Sequence, residues 1–185
     1  MESRFRNPVA SICMESGEIV KVELLPHIAP QSVYSFIHLA DAGVFDNYSI
    51  RRVDPGQCIE PSYTEFENDL ARYYIPNDTA RGDFLPVTFG TVAMGGHGPD
   101  RIAGGDFFFP LTDADVLNGV YPVFGRVIEG QEELQRIGQV KVIIGDIFED
   151  YGVKIYRPEK PEIIKSVTVE TFDIEYPAPE KLETF

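Results

Sequence analysis

Basic residues are scarce in this sequence: sixteen lysines and arginines stand against thirty aspartates and glutamates, a formal net charge of −14. Such a surface repels phosphate backbones and anionic headgroups, which argues against a nucleic-acid or membrane partner. Cysteine is scarcer still. Cys13 and Cys58 are the only two. They form neither a Cys-x-x-Cys redox pair nor a secreted disulfide framework, so the plain reading is reduced thiols in the cytoplasm, with a Cys13–Cys58 disulfide as the alternative. The three histidines, His27, His38 and His97, fall in a turn, a helix and a loop without metal-ligand spacing. No metal and no other cofactor is expected. No apolar run approaches the ~20 residues that span a bilayer, and the start of the chain lacks the apolar core of a secretory signal. Gly95-Gly96-His97-Gly98 is not a phosphate cradle, because the next segment of chain reads as strand instead of helix.

What the sequence does contain is β-structure punctuated by turns. With 185 residues and 43% hydrophobic content it can bury one substantial core, so a single domain over 1–185 is expected, its core running from about 9 to 172. Val9 to Met14 and Glu18 to Leu25 read as a hairpin around Glu15-Ser16-Gly17. Pro30 opens a helix with apolar residues at 33, 36, 37 and 40, and Gly43 lies beyond its end. Residues 61–86 lose periodicity, with one helical candidate at Phe66 to Tyr74. Val87 to Met94 reads as a strand. Along the strand through Phe107, Phe108 and Phe109, alternation sends the middle ring to the face opposite its neighbours. Asn118-Gly119 is a hairpin signal. A further strand spans Tyr121 to Val127, and a second helix spans Gln131 to Ile137 with acids in its first turn and Arg136 in its last. After a long connection from Val140 to Arg157, Ile163 to Phe172 alternates as a closing strand. The acidic, proline-containing tail 173–185 reads as loosely held.

One stretch stands out, Phe45 to Glu60. A β-rich segment delivers Arg51 and Arg52 and is closed by Asp54-Pro55-Gly56. On a strand these arginines point to opposite faces, and one turned inward is costly unless it is paired or performs a task. Two solvated arginines at a strand end are the bland alternative. The stretch resembles the cyclophilin signature, Tyr-Asp-Gly and then Phe-His-Arg-Val-Ile-Pro-Gly-Phe-X-Ile-Gln. Phe45-Asp46-Asn47, Ile50-Arg51-Arg52-Val53, Pro55-Gly56 and Ile59-Glu60 fall in register with it. Further on, Met94 with Gly98-Pro99, Gly104 to Phe109 and Val123-Phe124-Gly125-Arg126-Val127-Ile128-Glu129-Gly130 resemble later motifs of the same family. The last of these is the most specific match.

The resemblance implies a closed eight-stranded antiparallel β-barrel capped by two α-helices, and a peptidyl-prolyl cis-trans isomerase acting on proline-containing peptides or protein clients as a monomer. It assigns the catalytic role to Arg52. The substrate cup would be formed by Gln57, Cys58, Glu60, Met94, Gly95, Gly96, Asp106, Phe108, Val116, Leu117 and Tyr121. Several of these depart from the family pattern. Gln57 replaces an aromatic, Glu60 and Asp106 replace glutamines, Val116 replaces tryptophan, Tyr121 replaces a histidine, and Gly95 and Gly96 replace alanine and asparagine. The pocket should therefore be smaller, wetter and more acidic, with weakened or altered activity. The alternative is a non-catalytic module that binds proline peptides on the same scaffold. Whether Glu60 orients or quenches Arg52 separates the two.

Overall fold

A computed structural model describes residues 6–61, 68–148 and 152–185. Its first strands, β1 (Val9–Met14) and β2 (Ile19–Leu24), pair as the expected hairpin, with Gly17 at φ +95° in the turn where a side chain would be strained. Alternation buries Ala10, Ile12 and Met14 from one strand and Val20, Val22 and Leu24 from the other. Helix α1 (Pro30–Asp41) then lays Val33, Phe36, Ile37 and Ala40 on the core. Pro30 costs nothing in the first turn, where its missing N–H would have had no helical partner. Ala29 at the N-cap has no side-chain acceptor. The need is met from far along the chain. Asp78 accepts from the Gln31 and Ser32 backbone N–H groups at 3.1 and 2.9 Å and from Ser32 Oγ at 2.8 Å.

The chain continues through β3 (Tyr48–Ser49), β4 (Arg52–Asp54), β5 (Cys58–Glu60) and β6 (Tyr73–Ile75) to β7 (Thr91–Gly96), β8 (Ile102–Pro110) and β9 (Val123–Glu129). After α2 (Gln131–Ile137) come β10 (Val142–Phe148), β11 (Val153–Pro158), β12 (Ile163–Glu170) and β13 (Glu183–Thr184). Eleven strands form one antiparallel sheet in the order β13-β6-β8-β7-β9-β2-β1-β12-β3, with β5 also pairing β8 and β4 pairing β5. The closed eight-stranded barrel expected from the sequence is corrected here: the sheet is open, curled strongly into a half-barrel. The ladder is interrupted at Ile50–Arg51, so β3 ends on β12 while β4 turns away to β5, and no rung among the described residues joins the two. The hairpin β10–β11, a separate two-stranded sheet, packs against β4 instead.

The concave side of the sheet and α1 enclose the main core. Phe36, Phe45 and Phe107 meet there with centroids 5.2 to 5.4 Å apart, Phe36 stacked on Phe45 and Phe107 nearly perpendicular to both. Phe107 and Phe109 face this core, whereas Phe108 joins a second, smaller cluster with Val87, Ala93 and Val123, as alternation requires.

Other segments differ from the sequence reading. Phe66 and Glu67 lie outside the described residues, and the rest of the candidate helix is a 3-10 turn over Asp69–Ala71 and then β6. Residues 87–90 are not strand: a turn at 89–90 leads into β7, and Thr91 Oγ1 donates to the Thr88 carbonyl at 2.7 Å. Asn118-Gly119 does not join two strands. It comes after the 3-10 turn Asp115–Leu117, with Gly119 at φ +73° and Asn118 Oδ1 accepting from Val87 N–H at 2.7 Å. The tail is docked, not loose: β13 pairs β6, and Phe185 stacks on Tyr74 at 4.5 Å. The two cysteines are free thiols.

Candidate active site

Strands β7, β8, β5 and β4 lie side by side, and a cleft of about 740 Å³ opens along them. Nine of the residues singled out from the sequence line it: Arg52, Gln57, Cys58, Glu60, Gly95, Gly96, Phe108, Leu117 and Tyr121. Phe108 packs edge-on against Tyr121, centroids 6.1 Å apart, and with Leu117, Ala114 and Cys58 forms an apolar cup over the smaller cluster. Three residues do not line the cleft. Met94 is fully buried, because it opposes Phe107 across the ladder and so shares its core-facing side. Asp106 is 1% exposed, on a central strand flanked by β7 and by β5 and β6. Val116 is 85% exposed, since successive residues of a 3-10 turn point in directions about 120° apart and it is Leu117 that turns inward.

Alternation on β4 sends Val53 into the core and Arg52 and Asp54 toward the cleft. Arg51 precedes the strand, is exposed, and lies over the Tyr48 ring at 5.7 Å. The Arg52 guanidinium is clamped between two carboxylates, with Nη1 donating to Glu60 Oε2 at 3.0 Å and Nη2 to Asp54 Oδ2 at 3.3 Å. Glu60 contributes one oxygen to this contact, so the clamp divides the arginine's fork between two acids. Burial opposes the charge of Arg52, but Cys58, Glu60 and Asp54 around it raise its pKa above the ordinary value. Glu60 is affected in the same direction for another reason: burial pushes its carboxyl up to about 7 against the pull of Arg52. Burial likewise pushes the Cys58 thiol up to about 12. A thiol held there carries almost no thiolate near neutrality, which makes Cys58 a wall of the cup, not a nucleophile.

Another rim is the glycine-rich end of β7 and the loop that follows it. A Cβ on Gly95 would stand 3.0 Å from the Asp106 carbonyl and 3.4 Å from Glu60 Oε1, so the bare backbone leaves this rim low. Tyr121 braces the loop, its hydroxyl accepting from Gly98 N–H at 3.1 Å and donating to the Gly96 carbonyl at 3.3 Å. The 68–86 segment staples the neighbouring loops. Asn77 Nδ2 donates to the Pro99 and Val120 carbonyls, each at 2.9 Å, and Thr79 Oγ1 donates to the Gly119 carbonyl at 2.9 Å.

Residues 10–169 match the family model described as cyclophilin type peptidyl-prolyl cis-trans isomerase/CLD. The chain belongs to the cyclophilin family. Among curated relatives, the peptidyl-prolyl cis-trans isomerase-like 2 of Cryptococcus neoformans is 31% identical over 165 residues, covering 86% of this cyclophilin and 27% of that protein. The chain thus spans about a quarter of that relative's length. Peptidyl-prolyl cis-trans isomerase B of Bacillus subtilis is 28% identical over 141 residues, 76% of this chain and 94% of the relative. A solved cyclophilin of Cryptosporidium parvum superimposes with a TM-score of 0.69 at 21% identity, covering 89% of this chain and 98% of that one. The likeness of fold extends to a structure of that protein in the presence of the dipeptide Ala-Pro, with a TM-score of 0.67.

The sequence reading missed five residues of this cyclophilin's cleft: Asp54, Pro110, Ala114, Val153 and Ile155. Asp54 was accessible, two residues from Arg52 on the same strand face. Val153 and Ile155 alternate as a strand should, but nothing local signals that their hairpin reaches β4. Among the described residues no cluster of histidine, cysteine or acids is arranged to hold a metal, and no helix is long and apolar enough to cross a membrane.

Proposed function

We propose that this cyclophilin catalyses cis-trans isomerisation of X-Pro bonds, with the proline ring seated in the cup of Phe108, Leu117 and Cys58 and Arg52 as the catalytic residue. Isomerisation twists an amide whose barrier is ~18–20 kcal/mol, and the twisted state localises the lone pair on the prolyl nitrogen. No covalent chemistry is needed. A guanidinium aimed at that nitrogen stabilises the twisted state more than either planar one, and each ~1.4 kcal/mol of that difference is worth about tenfold in rate. The single observation that carries this reading is the placement of Arg52 at the rim of an apolar cup, cation toward the cleft, with Glu60 and Asp54 each taking one of its five donors. Gly95 and Gly96 would offer backbone groups to the extended peptide, and Tyr121 would hold that loop in place.

The same clamp favours a second reading, a module that binds proline peptides without isomerising them, since a cation held by two carboxylates is less available to a reacting amide. The test is exchange NMR on a short Ala-Pro peptide with and without the protein. Low but measurable acceleration supports catalysis. Binding with exchange left at the uncatalysed rate, where each event takes roughly tens to hundreds of seconds, supports the module.

A further inference from the structure

The hairpin β10–β11 has no part in the catalysis proposed for Arg52 and the cup. It fills the long connection between α2 and the last long strand, which is longer here than in the family pattern the sequence resembles. Across the floor of the cleft the order is β7, β8, β5 and β4, and β11 of the separate hairpin packs against β4. The cup lies on the β8 side and the Arg52 clamp in the middle, so the far wall belongs to the hairpin. Val153 and Ile155, two apart on β11, both line the cleft. Ile155 is 4% exposed and fixes the wall, whereas Val153 is 44% exposed, an aliphatic side chain standing at the opening. Lys154 falls on the other face. The charged groups of this flank, Arg52, Asp54 and Glu60, are paired with one another, which leaves the aliphatic surface of β11 as what a ligand meets beyond them.

We propose that β11 is a specificity wall: Val153 and Ile155 select proline peptides carrying a branched aliphatic or aromatic residue on the side of the proline that passes Arg52, and the two acids disfavour an acidic residue there. The inference rests on the proline-cleft reading of Arg52 and the cup. An apolar side chain covering the half-exposed Val153 removes surface of both from water, which is worth about five- to tenfold in affinity over alanine.

The experiment uses two peptide series, one varying the residue before proline and one varying the residue after it, each with alanine, leucine, phenylalanine or glutamate. kcat/KM by exchange NMR and Kd by titration are measured for the full chain. The unmodified protein should prefer leucine or phenylalanine to alanine by about fivefold or more in one series, and Val153→Ser should reduce that ratio to within about twofold. Ile147→Ser, on the hairpin face shared with Lys154, should leave the ratio unchanged. Equal binding of leucine and alanine peptides in both series, or a preference that survives Val153→Ser, overturns the wall. A preference seen in Kd and lost in Val153→Ser, with no acceleration of exchange by any form, supports the wall and overturns the isomerase reading alone.

Discussion

Arg52 and Arg51 are adjacent in sequence and separate in role. Arg52→Ala should bring X-Pro exchange to the uncatalysed rate, whereas Arg51→Ala, removing an exposed side chain outside the cleft, should leave it within about twofold. Equal losses in the two variants would remove Arg52 from its catalytic role. Glu60 sets the pH dependence. Its carboxyl is raised to about 7 by burial, with Arg52 pulling the other way and Cys58 and Asp54 also beside the pair. Because the folded value lies above the ordinary 4.5, the stability Glu60 contributes is full below about pH 4.5 and is lost as pH rises through about 7. Protonation also frees one arm of Arg52. Activity should therefore rise as pH falls from 8 to 6, and Glu60→Gln should raise kcat/KM at pH 8 by about threefold, ~0.7 kcal/mol, and flatten the profile. A profile that keeps its inflection in Glu60→Gln would assign the titration to another group, and a fall in kcat/KM with unchanged circular dichroism would make Glu60 an orienting partner.

Among the elements, α1 depends on a residue 46 positions from its first turn. Asp78 is buried, and burial raises its pKa despite three hydrogen bonds from Gln31 and Ser32. Asp78→Ala leaves buried donors without acceptors and should destabilise the chain by about 1–3 kcal/mol, read from denaturant midpoints, with little change in kcat/KM at temperatures where it remains folded. The tail is tied as firmly. Leu182 and Phe185 N–H groups donate to the Tyr74 and Arg72 carbonyls at 2.9 and 3.1 Å, and Lys181 Nζ lies 4.4 Å from the centre of the Tyr73 ring. Removing residues 180–185 should lower the melting temperature by several degrees, and the uncovered Tyr74 and the freed edge of β6 should increase self-association on light scattering. These elements also mark where the sequence stopped being legible. Helix α2 was readable to the residue, because acids, Arg136 and Gly138 are local signals. The capping of α1 by Asp78, the docking of Phe185 on Tyr74 and the seating of β11 beside β4 are contacts between distant segments, and no local pattern encodes them. At the site the same division holds. Arg52 and Phe108 line the cleft where motif and strand alternation coincide, Leu117 lines it where the motif alone pointed, and Val116 stands outside it because a 3-10 turn rotates it outward.

For the whole molecule, one pairing has a consequence in time. β1, the first strand, is held on one side by β2 and on the other by β12, with Val9 opposite Glu170 and Ile12 opposite Val167. Synthesis proceeds from the N-terminus, so a growing chain makes β1 and β2 early and leaves the outer edge of β1 without its partner until residues near 170 have emerged. Closing so long a loop is slow, and an unpaired edge with a buried-type apolar face invites wrong pairings meanwhile. The native chain, once complete, should refold on the slow side for its size. Nascent chains stalled before β12 should bind chaperones of the apolar-segment type or aggregate, even though every residue of the cleft has by then been made.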